Sequence, residues 1–98
     1  MPHNVDGPEN INLTISSSQE YYKEGSDIGL TCSADSKPPA LIQWFQNGDL
    51  LSYTGPELRL MNIQTSQSGN YSCQASNSKT MRSQTSQPSV VSVLGKFA

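Results

Sequence analysis

Apolar and polar residues alternate in several short segments of the chain, and a period of two is typical of half-buried β-strands. In the first half this pattern predicts a strand A at residues 11–15 and a short second piece at residues 21–22, which the Glu24-Gly25 turn ends. The chain then continues into strand B at residues 27–34 and, after a stiff Pro-Pro loop, into strand C at residues 41–46. These segments predict a chain built from short β-strands.

Turn residues divide the second half of the chain in the same way. Asn47-Gly48 is the strongest short hairpin signal available, so strand C turns back into a strand C′ at residues 50–53. Ile63 is predicted to fill the turn that follows strand E, the strand around Leu58 and Leu60. In the Pro-Pro loop before strand C, the peptide bond preceding Pro39 is a possible cis bond. Pro88 is tolerated in a strand only at an edge or a bulge, which suits the last strand. The remaining elements are predicted as strand E around Leu58 and Leu60, strand F at residues 70–76, a loop at residues 77–82 and strand G at residues 90–94.

The two cysteines, Cys32 and Cys73, lie 41 positions apart, which is too far for a Cys-x-x-Cys redox or metal motif. An even count in a small polar domain indicates one structural disulfide, formed in an oxidising compartment. Closing a loop of this size contributes about 4 kcal/mol in the chain-entropy account. The alternative is a pair of buried free thiols in a cytosolic protein, and the strand patterns around both cysteines disfavour it.

The residues between and beside the cysteines point to one fold. The period of two directs Ile42 and Trp44 inward on strand C, where the indole covers a bridge between strands B and F. Tyr71, two places before Cys73, fits the tyrosine corner, whose hydroxyl bonds the backbone a few residues upstream. Cys, then Trp, then Tyr-x-Cys predicts an all-β, immunoglobulin-like sandwich.

Spacing refines this prediction. Too few residues separate Gly48 from Leu58 for an additional C″ strand, so the sandwich is constant-like (C2-type), with sheets A-B-E and G-F-C-C′. Seven antiparallel strands leave the two termini at opposite ends, which suits end-to-end stringing of domains. We expect one domain at residues 6–94, with residues 1–5 as linker or expression-derived residues and residues 95–98 as a C-terminal linker.

Composition and charge argue against catalysis and against several classes of ligand. The single histidine, His3, lies beside the N-terminus, where a catalytic triad cannot hold it, and no Gly-rich phosphate loop is present. One histidine and two distant cysteines do not complete a zinc site. A net charge of −2 and a pI near 5.1 do not provide the excess of positive charge that binds nucleic acid or anionic lipid. We therefore expect no enzyme activity, no cofactor and no metal. Without a long apolar run, we expect neither membrane insertion nor a signal peptide in this segment.

Several further motifs resemble one family of cell-surface proteins. They are Asp6-Gly7-Pro8, Tyr21-Tyr22, Lys37-Pro38-Pro39-Ala40, Trp44-Phe45-Gln46-Asn47-Gly48, Glu57-Leu58, Asn62-Ile63 and Ser68-Gly69-Asn70-Tyr71-Ser72-Cys73-Gln74-Ala75. Together they resemble the constant-type repeats of the carcinoembryonic-antigen-related cell adhesion molecules and their secreted relatives, the pregnancy-specific glycoproteins. The chain departs from the family pattern at Lys37, Ser66 and Gln67, where the family usually has Asn, and at Asp49-Leu50-Leu51.

The resemblance implies an extracellular module of a cell adhesion glycoprotein, on the plasma membrane or secreted, that acts mainly as a spacer or lateral-contact domain. As partners it implies other cell-surface proteins or neighbouring Ig domains of the same chain, and we expect the isolated domain to be a monomer. The alternative is a domain of a secreted immunomodulatory glycoprotein or of an inhibitory cell-surface receptor. A third hypothesis, an intracellular Ig repeat of the muscle type, is disfavoured by the predicted disulfide.

Two sequons and one surface are the candidate sites. Asn12-Leu13-Thr14 and Asn70-Tyr71-Ser72 fit the acceptor pattern for N-glycosylation. We expect a glycan on Asn70 to cover the outer face of the G-F-C sheet and prevent self-association, and one on Asn12 to shield an edge strand. The candidate contact face consists of Gln43, Phe45, Gln74, Lys79 and Arg82.

Phe45 has two interpretations, because alternation directs its ring outward on that sheet. It is either a contact aromatic for a partner or glycan, or a ring partly covered by strand C′ residues such as Leu51 or Tyr53. The second interpretation is the one we favour. Lys79 and Arg82, placed in the F–G loop, could meet an acidic partner, although cations on a loop are usually just solvated.

Overall fold

The computed structural model describes residues 5–95 of the chain. His3 and the predicted linker residues 1–4 and 96–98 lie outside the described residues. Short alternating segments form strands because every second side chain can be buried while the others face water. In chain order the elements are β1 (Asp6–Ile15), β2 (Tyr22–Lys23), β3 (Ile28–Lys37), β4 (Leu41–Gln46), β5 (Asp49–Thr54), β6 (Glu57–Leu60), a 3₁₀ turn (Thr65–Gln67), β7 (Gly69–Asn77), β8 (Arg82–Thr85), β9 (Ser89–Val91) and β10 (Val93–Leu94).

Most of the strands belong to two antiparallel sheets. The first sheet has the order β1-β3-β6. The second has the order β5-β4-β7-β8, and β9 also pairs with β7. These are the predicted A-B-E and G-F-C-C′ sheets, so the prediction of an immunoglobulin-like sandwich is confirmed.

A short parallel pair, β2 with β10, connects the N-terminal region to the last strand. The backbone N–H of Tyr22 donates to the carbonyl oxygen of Ser92 at 2.8 Å, and that of Glu24 donates to Leu94 at 3.1 Å. The Tyr22 side chain is buried in the core. The short piece predicted at residues 21–22 therefore exists as a strand, and its parallel partner is a feature that alternation could not indicate.

The core lies between the two sheets and surrounds the disulfide. Cys32 of β3 and Cys73 of β7 are bonded at 2.03 Å, so the predicted disulfide is confirmed. Trp44 lies opposite Cys73 on the neighbouring strand and is fully buried. Its indole N–H donates to the carbonyl oxygen of Gly55 at 2.9 Å, which satisfies the one polar group of the ring. The other buried apolar residues are Tyr22, Ile28, Leu30, Ile42, Leu58, Leu60, Ile63, Tyr71, Ala75, Val91 and Val93.

Three strands extend further than the alternation pattern predicts. β1 begins at Asp6, and β3 continues to Lys37. The last strand begins as β8 at Arg82, inside the loop predicted at residues 77–82. Polar residues dominate all three extensions, so hydrophobic alternation is absent there. Backbone pairing does not require apolar side chains, and this is why the strands continue.

The last strand is interrupted between β8 and β9. Ser86 bridges the interruption, because its N–H donates to the carbonyl oxygen of Cys73 at 2.8 Å and its hydroxyl accepts the Cys73 N–H at 3.0 Å. Pro88, which has no N–H, lies in this interruption, in agreement with the expected bulge. In the Pro-Pro loop the cis bond precedes Pro38, and the bond preceding Pro39 is not cis.

The described chain enters and leaves the sandwich at opposite ends. Asp6 pairs with Lys37, the last residue of β3, at what we call the N-terminal end. At the other end, the C-terminal end, β9 pairs with the first residues of β7, and Gly95 lies against the Thr65 side chain. This agrees with the arrangement expected from the strand count. Within residues 5–95 no helix has the length and apolar character needed to cross a bilayer.

Candidate functional site

The outer face of the five-stranded sheet carries a group of apolar residues. Strand register sets Phe45 opposite Ser72 on one side and opposite Leu50 on the other, and it sets Asn70 opposite Val90. Leu50 is 60% exposed and Val90 is 64% exposed, whereas Phe45 is half-buried. We call Phe45, Leu50 and Val90 the apolar patch. It brings together residues from three strands around the second sequon.

The neighbour of Phe45 on β5 differs from the prediction. The Asn47-Gly48 turn has positive φ at both residues, and the two-residue connection it makes sets Phe45 opposite Leu50. Leu51 packs against the core instead, and Tyr53 is exposed. Naming Leu51 as the cover of Phe45 is therefore wrong, because a two-residue turn places residue 50, not residue 51, on the outer face.

The two sequon asparagines are both exposed, and they lie on different sheets. The contacts of Asn70 involve its backbone: its N–H donates to Asn47 Oδ1 at 3.0 Å, and its carbonyl oxygen accepts the Asn47 N–H at 2.7 Å. Asn12 lies on β1, the edge strand of the three-stranded sheet, opposite Ser33. In each sequon the hydroxyl residue, Ser72 or Thr14, shares the face of its asparagine.

The other predicted contact residues do not form one surface. Gln43 lies opposite Gln74, whose side-chain amide donates to the Thr85 hydroxyl at 3.4 Å. Lys79 is exposed in the turn that follows β7. Arg82 was expected in the loop but is the first residue of β8, because the F–G turn is shorter than the sequence suggests. It lies opposite Asn77, whose side chain points inward, so Arg82 does not share the outer face with Gln43 and Gln74, and its place in the predicted contact face is wrong.

Two residues of the apolar patch, Leu50 and Val90, were missing from the predicted contact face. The hairpin length was a sufficient signal for Leu50, since a two-residue turn fixes its partner as Phe45. No equivalent signal existed for Val90, because two adjacent valines leave the inward residue undecided. The structure buries Val91 and exposes Val90.

A buried asparagine organises the N-terminal end. Asn77 is only 3% exposed and continues the inward-facing series of Tyr71, Cys73 and Ala75 on β7. Its side-chain oxygen accepts the backbone N–H of Lys79 at 2.9 Å. Its side-chain nitrogen lies within hydrogen-bonding distance of four oxygens: Ser36 Oγ at 2.9 Å, Lys37 O at 3.1 Å, Asp6 O at 3.3 Å and Pro38 O at 3.3 Å. One side chain thus joins the incoming chain to the loops after β3 and β7.

Neighbouring residues reinforce this attachment of the incoming chain. The Thr80 hydroxyl donates to the carbonyl oxygen of Gly7 at 2.6 Å. Gly7 has a φ of 88°, and a Cβ at this position would collide with the carbonyl oxygen of Asp35. Asn77 was predicted only as the start of a loop, although continuing the period of two from Tyr71 places it inward.

The C-terminal end is built around Tyr71. Its hydroxyl donates to the carbonyl oxygen of Gln67 at 2.6 Å, the upstream bond expected of a tyrosine corner. Burial raises the pKa of Tyr71, because the charged phenolate is poorly solvated there. Beside it, the side-chain amide of Gln46 donates to the carbonyl oxygens of Ser66 and Ser68, each at 3.2 Å.

The described surface carries groups suited to contact and to covalent modification. Among the residues that the structure describes, no three His, Cys, Asp or Glu side chains converge as a metal site. Both cysteines are engaged in the disulfide. The outer face of the five-stranded sheet offers apolar area, amide hydrogen bonding and a sequon.

Comparison with known proteins agrees with this geometry. The family described as Immunoglobulin domain matches residues 10–93 of the chain. Sialic acid-binding Ig-like lectin 10 of Mus musculus is 36% identical over 61 residues, which cover 56% of this chain and 9% of that protein. The chain therefore spans less than a tenth of the length of this relative.

Solved structures share the architecture. The N-terminal four Ig domains of Dscam1 isoform 4.44 match with a TM-score of 0.70 and 17% identity, over 88% of this chain and 21% of that chain. The tandem Ig repeats of Dlar match with a TM-score of 0.69 and 22% identity, over 86% of this chain and 49% of that chain. At these identities the likeness concerns the fold alone.

Proposed function

The chain belongs to the immunoglobulin domain family, and we propose that it is an extracellular module of a cell-surface adhesion glycoprotein. In this role it acts mainly as a spacer with lateral contacts, and primary recognition occurs on another domain. Its similarity to an Ig-like lectin supports a cell-surface module. The motifs that resemble constant-type adhesion repeats support the spacer role.

The observation that carries the proposal is the position of Asp6 and Gly95, near the two ends of the described residues. Asp6 is held at the N-terminal end by Asn77, and Gly95 leaves beside Thr65 at the opposite end. When the chain enters a domain at one end and leaves at the other, that domain contributes its full length to a series of linked domains. Fixed attachment at the entry favours a defined geometry towards a preceding domain, since the bonded backbone cannot swivel freely.

The spacer role is tested by two measurements on the chain. Sedimentation equilibrium is expected to show a monomer, with self-association no tighter than a Kd of about 1 mM. Two copies joined end to end are expected to give an elongated particle in small-angle scattering. A matched protein with a Gly-Ser insert at the junction serves as the control and should show a broader distribution of dimensions. A tight dimer, or two copies folded against each other, contradicts the proposal.

A second candidate function is ligand binding in a receptor or secreted immunomodulatory glycoprotein, favoured by the match to a sialic acid-binding lectin. A sialic acid carboxylate is a good partner for an arginine, and Arg82 and Lys79 are exposed at the N-terminal end of the sandwich, beside Asn77. Binding of the chain to a sialylated glycan array tests this role. Binding that is lost in Arg82→Ala and kept in the matched control Arg59→Ala supports the receptor role. No binding by the unmodified chain supports the spacer role.

A further inference from the structure

We propose that an N-glycan on Asn70 has a defined seat, in which its first N-acetylglucosamine packs on the apolar patch of Phe45, Leu50 and Val90 and stabilises the domain. The inference rests on the extracellular placement proposed above. It goes further by assigning a ligand, the protein's own glycan core, to this surface. The glycan on Asn12 has no such seat.

Strand register places the patch within reach of Asn70. Val90 is the direct cross-strand partner of Asn70 on β9, and Phe45 is the direct partner of Ser72 on β4. Direct partners have Cβ atoms about 5 Å apart, and diagonal partners are about 7–8 Å apart. Asn70 therefore has an apolar neighbour on each side, Val90 directly and Phe45 diagonally, and Leu50 extends the patch beyond Phe45.

The chemistry of the first sugar fits this surface. One face of a pyranose ring presents C–H groups that pack on an aromatic ring or an aliphatic side chain, while its hydroxyls remain in water. Leu50 and Val90 expose most of their surface, so covering them removes apolar area from contact with solvent. Because the sugar is covalently attached, it loses little translational freedom on packing. A weak contact is therefore sufficient to keep the seat occupied.

Modification of Asn70 is compatible with its existing contacts. The two hydrogen bonds that it makes with Asn47 use the backbone N–H and carbonyl of Asn70. Attachment of a sugar to the side-chain nitrogen leaves both bonds intact. The side chain is exposed on the outer face of β7, so the glycan projects from the sheet without displacing the core.

Asn12 provides a matched comparison within the same chain. It is also exposed and also lies on a strand, but its direct partner is Ser33, and the next outward pair along β1 and β3 is Thr14 with Thr31. The alternating apolar residues of this strand, Ile11, Leu13 and Ile15, pack towards the core. A glycan on Asn12 therefore projects over a polar surface, where packing contributes little.

The experiment uses the chain secreted from mammalian cells behind a supplied leader, with glycan occupancy measured by mass spectrometry. Thermal unfolding is compared for the glycosylated protein, the same protein trimmed to one N-acetylglucosamine per site, Asn70→Gln and Asn12→Gln. We expect Asn70→Gln to lower the midpoint by about 4 °C, Asn12→Gln to lower it by about 1 °C or less, and trimming to retain most of the stabilisation. Ser72→Ala, which removes the sequon and keeps Asn70, should match Asn70→Gln.

A second set of variants tests the seat itself. Val90→Thr keeps the size and β-propensity of an exposed residue, so it should fold, and Phe45→Ser removes the ring. In either background, the difference between glycosylated and Asn70→Gln protein is expected to fall by at least half. An unmodified Asn70, equal effects at both sequons, or a glycan effect unchanged by both patch variants each overturns the proposal. Because the leader is supplied, these outcomes do not depend on the spacer role, which is tested by self-association and scattering.

Discussion

The two ends of the sandwich are held together by different interactions. At the N-terminal end a single buried side chain, Asn77, hydrogen-bonds several backbone groups of the incoming chain and of the β3–β4 loop. At the C-terminal end Ile63 and Tyr71 are buried among apolar neighbours, and the hydrogen bonds beside them are made by separate side chains, from Tyr71 to Gln67 and from Gln46 to Ser66 and Ser68. The first end depends on one buried polar side chain, whereas the second depends on apolar burial with hydrogen bonds distributed over several side chains.

This difference predicts unequal sensitivity to substitution. Removing the centre of a buried polar network leaves several groups without partners, and each unsatisfied group has its own cost. Removing one hydroxyl from an apolar site costs about one hydrogen bond, because the surrounding packing remains. A single substitution at the N-terminal end should therefore lower the unfolding free energy more than a single substitution at the C-terminal end.

The largest effect is expected for Asn77→Ala, with a loss of about 4 kcal/mol of unfolding free energy. The substitution leaves the carbonyl groups of Asp6, Lys37 and Pro38 without this donor. This loss of unfolding free energy is measured by urea unfolding, monitored through the fluorescence of the tryptophan. Asn12→Ala, at an exposed position, is the control and should change stability by about 0.5 kcal/mol or less. A loss below about 1 kcal/mol for Asn77→Ala would remove the contrast between the ends.

Gly7→Ala is expected to cost about 3 kcal/mol, because it combines left-handed backbone with a collision against the Asp35 carbonyl. Gly48→Ala separates these two causes. Gly48 has a similar φ of 86°, but a Cβ there meets no atom within 4 Å, so only about 1 kcal/mol of backbone strain is expected. The same unfolding measurement applies. Equal losses at both glycines would mean that close packing at the entry contributes nothing.

At the C-terminal end, Tyr71→Phe is expected to cost about 1 kcal/mol, because it removes the bond to Gln67 and keeps the buried ring. Tyr53→Phe is the matched control at an exposed tyrosine and should be close to neutral. Unfolding midpoints of the two variants give the comparison. A loss for Tyr71→Phe as large as that for Asn77→Ala would show that the two ends are not different in kind.

The smallest effect is expected with alkaline pH. Burial raises the pKa of Tyr71 in the folded state above its unfolded value of about 10. Its contribution to stability is therefore fully present below about pH 10 and is lost as pH rises through the higher folded pKa. Stability of the unmodified chain should fall more steeply above pH 10 than that of Tyr71→Phe. Parallel curves for the two proteins would show that this hydroxyl does not ionise with unfolding.

Much of the architecture could be read from the sequence because a few residues carry specific geometric demands. Cys32, Trp44, Tyr71 and Cys73 occupy inward positions on three adjacent or facing strands, and the structure joins them in one core. The Asn-Gly hairpin was equally informative, since only a few residue types accept positive φ at both turn positions.

The features that escaped prediction are those held by backbone or buried polar groups. The segment Arg82–Thr85 contains no apolar residue, yet it pairs with β7 along its backbone. Asn77 is buried although asparagine is mostly exposed in proteins. The apolar patch depends on strand register, and alternation alone does not identify which residues of neighbouring strands lie opposite each other.

The pairing of β10 with β2 determines how the domain carries mechanical load. Tension applied between Asp6 and Gly95 pulls β10 along its own axis, while the bonds from Tyr22 to Ser92 and from Glu24 to Leu94 lie across that axis. These bonds are therefore loaded in shear and resist together, whereas a hairpin pulled from its open end breaks one bond at a time. A strand of only two residues thus transmits force from the C-terminal side of the domain to β2, beside the pairing of β9 with β7.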